Sequence, residues 1–163
     1  MTRASSEKSR AVSSKVSTFR SPKPRRRSRW STTPTGSTPS TCAANARKYV
    51  EDETIIGVIG TFNSGCAKIE VPIANEASLA YISPANTAVG LTHVGPGSES
   101  GEPEKYYPTG TRNYARVVTS DDVQGQIDAA YMKDKLGVTK VFILDDKDAY
   151  GKGVADAFEH FAK

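Results

Sequence analysis

The sequence predicts an α/β fold in which a parallel sheet carries helices on both faces. Two observations support this prediction. Short apolar runs alternate with helix-forming segments along residues 41–163, and such alternation is typical of parallel sheets with right-handed crossovers. The apolar runs are also continuous rather than alternating with polar residues, as in strands that are covered on both faces.

Each element was assigned from its local pattern. Helices are predicted where a capping residue precedes apolar side chains spaced three or four residues apart, and strands where apolar residues are contiguous. Ser40 or Thr41 is the expected N-cap of the first helix, and Pro72 predicts a kink or a late start in the second. The order is helix 42–52, strand 54–61, helix 67–77, strand 79–83, loop 88–112, strand 113–118, helix 120–137, strand 139–146 and helix 150–163.

The N-terminal segment differs in composition from the rest of the chain. Residues 1–40 hold ten Lys or Arg and one acid, Glu7, whereas residues 41–163 hold twelve basic and seventeen acidic residues. Apolar residues in the first segment follow no helical or strand spacing, so it cannot bury enough surface to offset the cost of ordering its backbone. We expect residues 1–40 to be a disordered basic tail.

Several classes of function find little support in the sequence. No stretch of 18 apolar residues is present, so no membrane span is expected, and no secretory signal is visible. His93 and His160 are isolated and no nucleophile elbow or phosphate-binding loop occurs, so we expect neither an enzyme nor a cofactor. Cys42 and Cys66 are too few for a zinc site, and no metal is expected.

Polar residues follow two of the predicted strands. Asn63 and Ser64 come after the first strand, and residues 83–87, Ser-Pro-Ala-Asn-Thr, come at the end of the second. In open α/β sheets ligands bind at the carboxyl ends of the strands, where helix N-termini present free amides. We therefore expect both turns to line one small-molecule site.

Three phrases resemble the type I periplasmic binding proteins of branched-chain amino acid ABC transporters, the Leu/Ile/Val-binding family. They are "VIGTFNSGCAKIEVPIANEASLAYISPANTAVGLT", "GEPEKYYPTGTRNYARVVTSDDVQGQ" and "KVFILDDKDAYGKGVADAF", and they lie in the family's order and spacing. The resemblance implies two α/β lobes that close on an amino acid, an ABC permease as partner, and an extracytoplasmic location.

The resemblance also implies site residues. Ser64 matches the serine that meets the ligand carboxylate together with helix N-terminal amides, and Ala85 and Thr87 match a backbone carbonyl and a hydroxyl at the second turn. Asn86 lies between them, and Tyr150 matches an aromatic residue of the second lobe that faces the ligand. A disulfide between Cys42 and Cys66 is expected because the family often bridges this region in an oxidising compartment. From the residues alone, Asn63 and Asn86 are expected to stabilise turns rather than to contact a ligand.

Compared with the family, the chain resembles a fragment. Residues 1–40 match nothing in the family's opening strand and helix, residues 41–118 resemble part of lobe one, and residues 119–163 resemble the beginning of lobe two. The family's first strand and much of lobe two, including the acidic residue that usually meets the ligand ammonium, have no counterpart here. We therefore expect an exposed sheet edge, apolar helix faces and low stability, and weak or no leucine binding. A shifted reading frame would explain the tail, and the genomic sequence upstream of codon 40 tests this hypothesis.

Two alternatives remain open. Asp145 and Asp146 lie at the end of a predicted strand, as in a small flavodoxin-like enzyme or a phospho-acceptor domain, although capping of the next helix is the simpler explanation. The basic stretch at residues 23–29 would neutralise phosphates non-specifically, but no nucleic-acid-binding fold accompanies it and no nucleic-acid partner is expected.

Overall fold

The computed structural model describes residues 38–163. The predicted tail therefore lies almost entirely outside the described residues. The described part contains four helices and three strands, with 3₁₀ turns at Val89–Leu91 and Glu104–Tyr106. In chain order these are α1 (Pro39–Glu51), β1 (Gly57–Ile59), α2 (Ser64–Glu76), β2 (Ala80–Ser83), β3 (Tyr114–Arg116), α3 (Asp121–Asp134) and α4 (Ala149–Ala162).

The three strands form one parallel sheet in the order β1-β2-β3. Gly57 pairs with Ala80, and Tyr81 pairs with Tyr114, so each strand lies beside the next one along the chain. This arrangement places the carboxyl ends of β1, β2 and β3 at a common edge. β3 pairs with β2 although the loop before it is long, so that loop connects two strands of the same sheet.

Capping residues explain where the helices begin. The hydroxyl of Thr38 accepts a bond from Thr41 N, so the first helix starts earlier than the expected caps at Ser40 or Thr41. α2 starts at Ser64 because the Asn63 side chain caps it, and Pro72 is accommodated inside the helix. Both starts lie upstream of their predicted positions because the caps precede the apolar stripe that marked each helix.

The core lies between α1, α2 and one face of the sheet. Its largest fully buried side chains include Tyr81, Leu91 and Val71, and Tyr106, Tyr107 and Tyr114 join the same cluster. The described residues leave the other face open, since Ile59 and Ile82, which pair in register, are 65% and 45% exposed. Among the described residues, the core is therefore formed on the face of the sheet that α1 and α2 cover.

The loop between β2 and β3 is attached to α2 by charges. Lys68 Nζ lies 2.8 Å from Glu99 Oε1 and 2.9 Å from Glu102 Oε1, and Lys105 Nζ lies 3.0 Å from Glu99 Oε2. Hydrogen bonds from Lys68 and then Lys105 lower the pKa of Glu99 to about 2. These ion pairs hold a segment that contains little regular structure.

The predicted strand at residues 139–146 is not formed. In the described part of the chain no strand lies beside this segment, and Phe142 and Leu144 are 86% and 83% exposed. An extended segment becomes a strand only when a neighbour satisfies its backbone groups. Its apolar composition is that of a buried strand, but the described residues offer it no sheet.

The last two helices, α3 and α4, pack closely on each other. A Cβ atom on Gly125 would lie 2.7 Å from Phe158 N and 2.8 Å from Ala157 C. Only glycine therefore permits the two backbones to approach at this crossing.

Candidate functional site

Two turns meet at the carboxyl edge of the sheet, the first after β1 and the second after β2. We call residues 61–64 and 83–88 the two-turn edge. Ser83 Oγ donates to Thr61 O at 3.2 Å and accepts from Asn86 N at 2.9 Å. Asn86 Nδ2 donates to Thr61 O at 2.8 Å and to Phe62 O at 3.0 Å. Side chains of the second turn therefore hold the backbone of the first.

Ser64 lies at the centre of this arrangement. It is the first residue of α2 and is 2% exposed, and its hydroxyl accepts a bond from Ala88 N at 3.4 Å. The structure thus places Ser64 directly beside the turn that contains Ala85 and Thr87. The two turns lie on the same side of the sheet, as expected from their positions after parallel strands.

The N-terminus of α2 carries its own cap. Asn63 Oδ1 accepts from Gly65 N at 2.7 Å and from Cys66 N at 3.3 Å. An anion bound at this helix end would have to share or replace that cap at these two amides. The hydroxyl of Ser64 and the positive end of the helix dipole are the remaining features that favour an anion.

Asn86 has a structural position in the described residues. It is fully buried, its Nδ2 atom bonds two carbonyl oxygens of the first turn, and its Oδ1 atom accepts from Tyr114 OH at 3.3 Å. Ala85 N donates to Ser83 Oγ at 3.1 Å. The side chain of Asn86 is therefore committed to joining the turns.

Thr87 and Asp121 share an unusual environment. Within the described residues, the Thr87 Oγ1 atom and both Asp121 carboxylate oxygens are buried and have no hydrogen-bond partner. Asp121 is fully buried, and its backbone amide donates to Thr87 O at 3.0 Å. Burial raises the pKa of Asp121, and the nearby Thr87 hydroxyl and Arg116 guanidinium oppose that rise.

Asp121 is not among the site residues that the sequence predicts. A usable signal was present, however, since Asp121 follows a third strand whose end lies at the same edge as the ends of the other two.

Arg116 is also not among the site residues that the sequence predicts. Its guanidinium donates to Ala88 O at 2.8 Å, to Asn86 O at 3.4 Å and to Thr92 Oγ1. It fixes the backbone of the second turn from the end of β3.

Tyr150 is the second residue of α4 and is 45% exposed. The N-terminus of α4 lies near that of α2, because a Cβ atom on Gly65 would lie 3.6 Å from Ala149 Cβ. Tyr150 is therefore in the neighbourhood of the two-turn edge, but among the described residues no hydrogen bond joins it to Ser64 or Thr87.

Asp145 and Asp146 belong to a separate surface. Asp145 Oδ1 accepts from Lys147 N at 2.7 Å and Asp146 Oδ1 from Asp148 N at 2.9 Å, so both carboxylates stabilise the turn that precedes α4. They also border an open groove of about 430 Å³ between α4 and the segment before it, lined in addition by Asp128, Ile143, Leu144, Gly151, Val154, Ala155 and Phe158. The groove does not include Ser64 or Thr87.

Cys42 and Cys66 are joined by a disulfide that ties α1 to α2. A carboxylate oxygen of Glu70 lies within 4.8 Å of the sulfur atoms, which is a separation compatible with a metal site. The sulfurs are bonded to each other, however, and a disulfide is not the thiolate that binds metals. Glu70 instead accepts hydrogen bonds from Tyr49 OH at 3.1 Å and Tyr81 OH at 2.6 Å, and burial raises its pKa.

Comparison with known proteins decides the family. The family model described as periplasmic binding protein matches residues 26–163. This chain belongs to the periplasmic binding protein family. The match starts inside the predicted tail of residues 1–40. The recognition of a type I periplasmic binding protein and of its parallel α/β fold is thereby confirmed, and this family consists of substrate-binding transport proteins rather than enzymes.

Individual members of the family agree with this assignment. The Leu/Ile/Val-binding protein BraC3 of Rhizobium johnstonii is 31% identical over 115 residues, which are 71% of this chain and 27% of that protein. A substrate-binding protein of Desulfitobacterium hafniense, solved in complex with Leu, has a TM-score of 0.58 and 27% identity over 77% of this chain and 33% of its own.

A third relative is LivJ, a branched-chain amino acid transporter substrate-binding protein of Streptococcus pneumoniae, solved in complex with isoleucine. It has a TM-score of 0.62 and 26% identity, and the match covers 78% of this chain and 32% of LivJ. The chain thus spans about a third or less of the length of these relatives. Among its described helices, none is long and apolar enough to cross a membrane.

Proposed function

We propose that the two-turn edge of this chain contributes to a binding site for a branched-chain or related aliphatic amino acid. The observation that carries the proposal is the bond between Ser64 Oγ and Ala88 N, because it brings the two turns together at one edge of a parallel sheet. Ligands of open α/β sheets collect at this edge. The Leu and Ile complexes of the related proteins support the class of ligand.

The ligand carboxylate is assigned to Ser64. A buried hydroxyl at the first position of a helix offers a donor next to the positive end of the helix dipole. A hydrogen bond to a charged group contributes about 1.5–3 kcal/mol. The amides of Gly65 and Cys66 would join this contact only if the Asn63 cap moved, so the hydroxyl is the primary donor.

The ligand ammonium is assigned to the second turn. The carbonyl of Ala85 and the hydroxyl of Thr87 supply acceptors, and the Thr87 Oγ1 atom has no hydrogen-bond partner among the described residues. Asn86 acts indirectly, since its amide holds the first turn in place. Tyr150, at the N-terminus of α4, would cover the bound side chain from the second lobe.

The wider function follows from the family. We propose that residues 41–118 belong to the first lobe and residues 119–163 to the second, and that the lobes close around the ligand by hinge motion. The closed form would dock on an ABC permease on the outer side of the cytoplasmic membrane. No bond of the cargo is made or broken in this function. Asp145 and Asp146 each accept a backbone bond within the turn before α4, as the simpler explanation of these two acids requires.

Leucine binding is tested by saturation-transfer NMR on the whole 163-residue chain, since this method detects weak complexes in fast exchange. We expect transfer to the leucine methyl groups, competition by isoleucine and valine, and none by lysine, whose charged side chain an apolar wall would reject. Absence of transfer at any accessible leucine concentration would refute the proposal.

The contribution of Ser64 is tested with a matched pair of variants. Ser64→Ala should weaken leucine binding roughly ten- to hundredfold, because it loses one bond to a charged group. Ser40 also lies in the first turn of a helix, but it is exposed, and its hydroxyl oxygen lies 3.2 Å from that of Thr38. Ser40→Ala should therefore leave leucine binding unchanged, and an equal effect of the two substitutions would contradict the assignment.

A further inference from the structure

We propose that Cys42, Cys66 and Glu70 form a zinc site once the disulfide between the two cysteines is reduced. This inference goes beyond the proposed function and does not depend on it. Both sulfur atoms and a carboxylate oxygen of Glu70 lie within 4.8 Å of one another, and all three residues are buried. While the disulfide is intact the sulfurs are bonded to each other, so the site exists only in the reduced chain.

Two neighbouring helices bring the three ligands together. Cys66 and Glu70 are four residues apart in α2, so their side chains lie on the same face of that helix. Cys42 comes from α1, which packs against α2, and its Cα atom lies 5.4 Å from that of Cys66. Two cysteines alone are too few for a zinc site, but the structure adds a third ligand to them.

The separations of these atoms suit zinc. A tetrahedral zinc ion binds cysteine sulfur at about 2.3 Å and carboxylate oxygen at about 2.0–2.2 Å, so its ligand atoms are roughly 3.5–3.8 Å apart. This spacing falls within the 4.8 Å that contains the two sulfurs and the Glu70 oxygen. Once the bond between the sulfurs is broken, rotation about the Cα–Cβ bonds lets them reach it. Three protein ligands leave a fourth position for water.

Two tyrosines orient the carboxylate. Tyr49 OH donates to Glu70 Oε2 at 3.1 Å and Tyr81 OH donates to the same oxygen at 2.6 Å, so neither bond uses Oε1. Carboxylates that bind metals are commonly held by hydrogen bonds of this kind. Glu70 is 6% exposed, and among the ion pairs of residues 38–163 none includes it. A zinc ion would compensate this buried acid.

The conversion is a thiol–disulfide exchange followed by metal binding. A small dithiol transfers two electrons and two protons to the disulfide, becomes a cyclic disulfide itself, and leaves Cys42 and Cys66 as thiols. Zinc binds the thiolates, so the two thiol protons are released to the solvent. The metal site and the disulfide are therefore alternative states of the same two sulfur atoms.

Zinc binding is measured on the whole chain in both redox forms. The reduced form is prepared by unfolding in urea with dithiothreitol, removing both reagents and refolding without oxygen. It should take up one zinc ion per chain in competition with a chromogenic chelator. Cobalt(II), used as a spectroscopic probe, should give the charge-transfer absorption of cobalt bound to thiolates, and zinc should displace it. The oxidised chain should show neither zinc uptake nor this absorption.

Variants test the third ligand. Glu70→Gln should lower the zinc affinity of the reduced chain at least about tenfold, because the loss of a ligand costs no less than the loss of a group that orients one. Glu76→Gln is the matched control, since Glu76 is an exposed acid at the end of the same helix, and it should leave the affinity unchanged. Replacing both Cys42 and Cys66 by alanine should abolish zinc uptake and the cobalt absorption.

Several outcomes would overturn the site. They are equal zinc affinities of Glu70→Gln and the wild type, cobalt binding without the thiolate absorption, no zinc uptake by the reduced chain, and equal uptake by the oxidised chain. If Glu70→Gln does not fold, Tyr81→Phe decides, since it removes the shorter bond to the carboxylate and should weaken zinc binding about tenfold; an unchanged affinity would refute the inference. If the reduced wild type stays unfolded without metal, zinc should restore its circular dichroism, and failure to do so counts against the site.

Discussion

Replacing Asn86 by alanine tests how the two turns of the ligand edge are held together. The substitution removes the bonds from Asn86 Nδ2 to Thr61 O and Phe62 O, at 2.8 and 3.0 Å, and the longer bond from Tyr114 OH at 3.3 Å. A buried hydrogen bond contributes about 0.5–1.5 kcal/mol, and acceptors left without a donor add to the loss. We expect the free energy of unfolding to fall by about 2–4 kcal/mol.

The measurement is urea-induced unfolding followed by circular dichroism, with a second variant that separates the contributions. Tyr114→Phe removes only the third and longest bond, so it should cost about 1 kcal/mol or less. Asn86→Asp keeps the size of the side chain but replaces two donors by a carboxylate facing two carbonyl oxygens. It should therefore destabilise the chain at neutral pH at least as much as Asn86→Ala.

Binding provides an independent check. If Asn86 positions the turns, Asn86→Ala should weaken leucine binding, because Ser64 and Thr87 lose the backbone that aligns them. A loss of stability below about 0.5 kcal/mol in both Asn86 variants, the range of ordinary surface substitutions, would refute the idea that this side chain joins the turns.

Two further predictions concern stability. Replacing both Cys42 and Cys66 by alanine removes a disulfide that joins residues separated by 24 positions. The chain-entropy relation predicts that the free energy of unfolding falls by about 3.4 kcal/mol, measured by urea unfolding without reductant. An unchanged urea midpoint would contradict this prediction. Because the pKa of Glu99 is about 2, below its ordinary 4.5, its ion pairs stabilise the fold above about pH 4.5, and this contribution is lost as the pH falls from 4.5 to 2. Glu99→Gln should be less stable than the wild type at neutral pH, with the difference disappearing over that window in acid titrations; a constant difference would argue against the ion pairs.

Local features could be predicted from the sequence because they depend on near neighbours. The sequence placed α3 and α4 within a few residues, since caps and apolar periodicity lie inside each helix. Asn63 was expected to stabilise a turn, and it caps α2. The prediction of a strand at residues 139–146 was wrong because a strand must pair with a neighbouring strand. Local composition does not reveal whether such a neighbour is present.

The sequence alone determined the alternation of apolar runs and helices, and with it the parallel α/β class and the two polar turns after β1 and β2. Only the tertiary structure decided that Arg116 holds the second turn and that Asp121 is buried beside Thr87 without a partner among the described residues. The physical reason is that hydrogen-bond satisfaction and desolvation depend on segments distant in the chain, whereas caps and periodicity are read from adjacent residues.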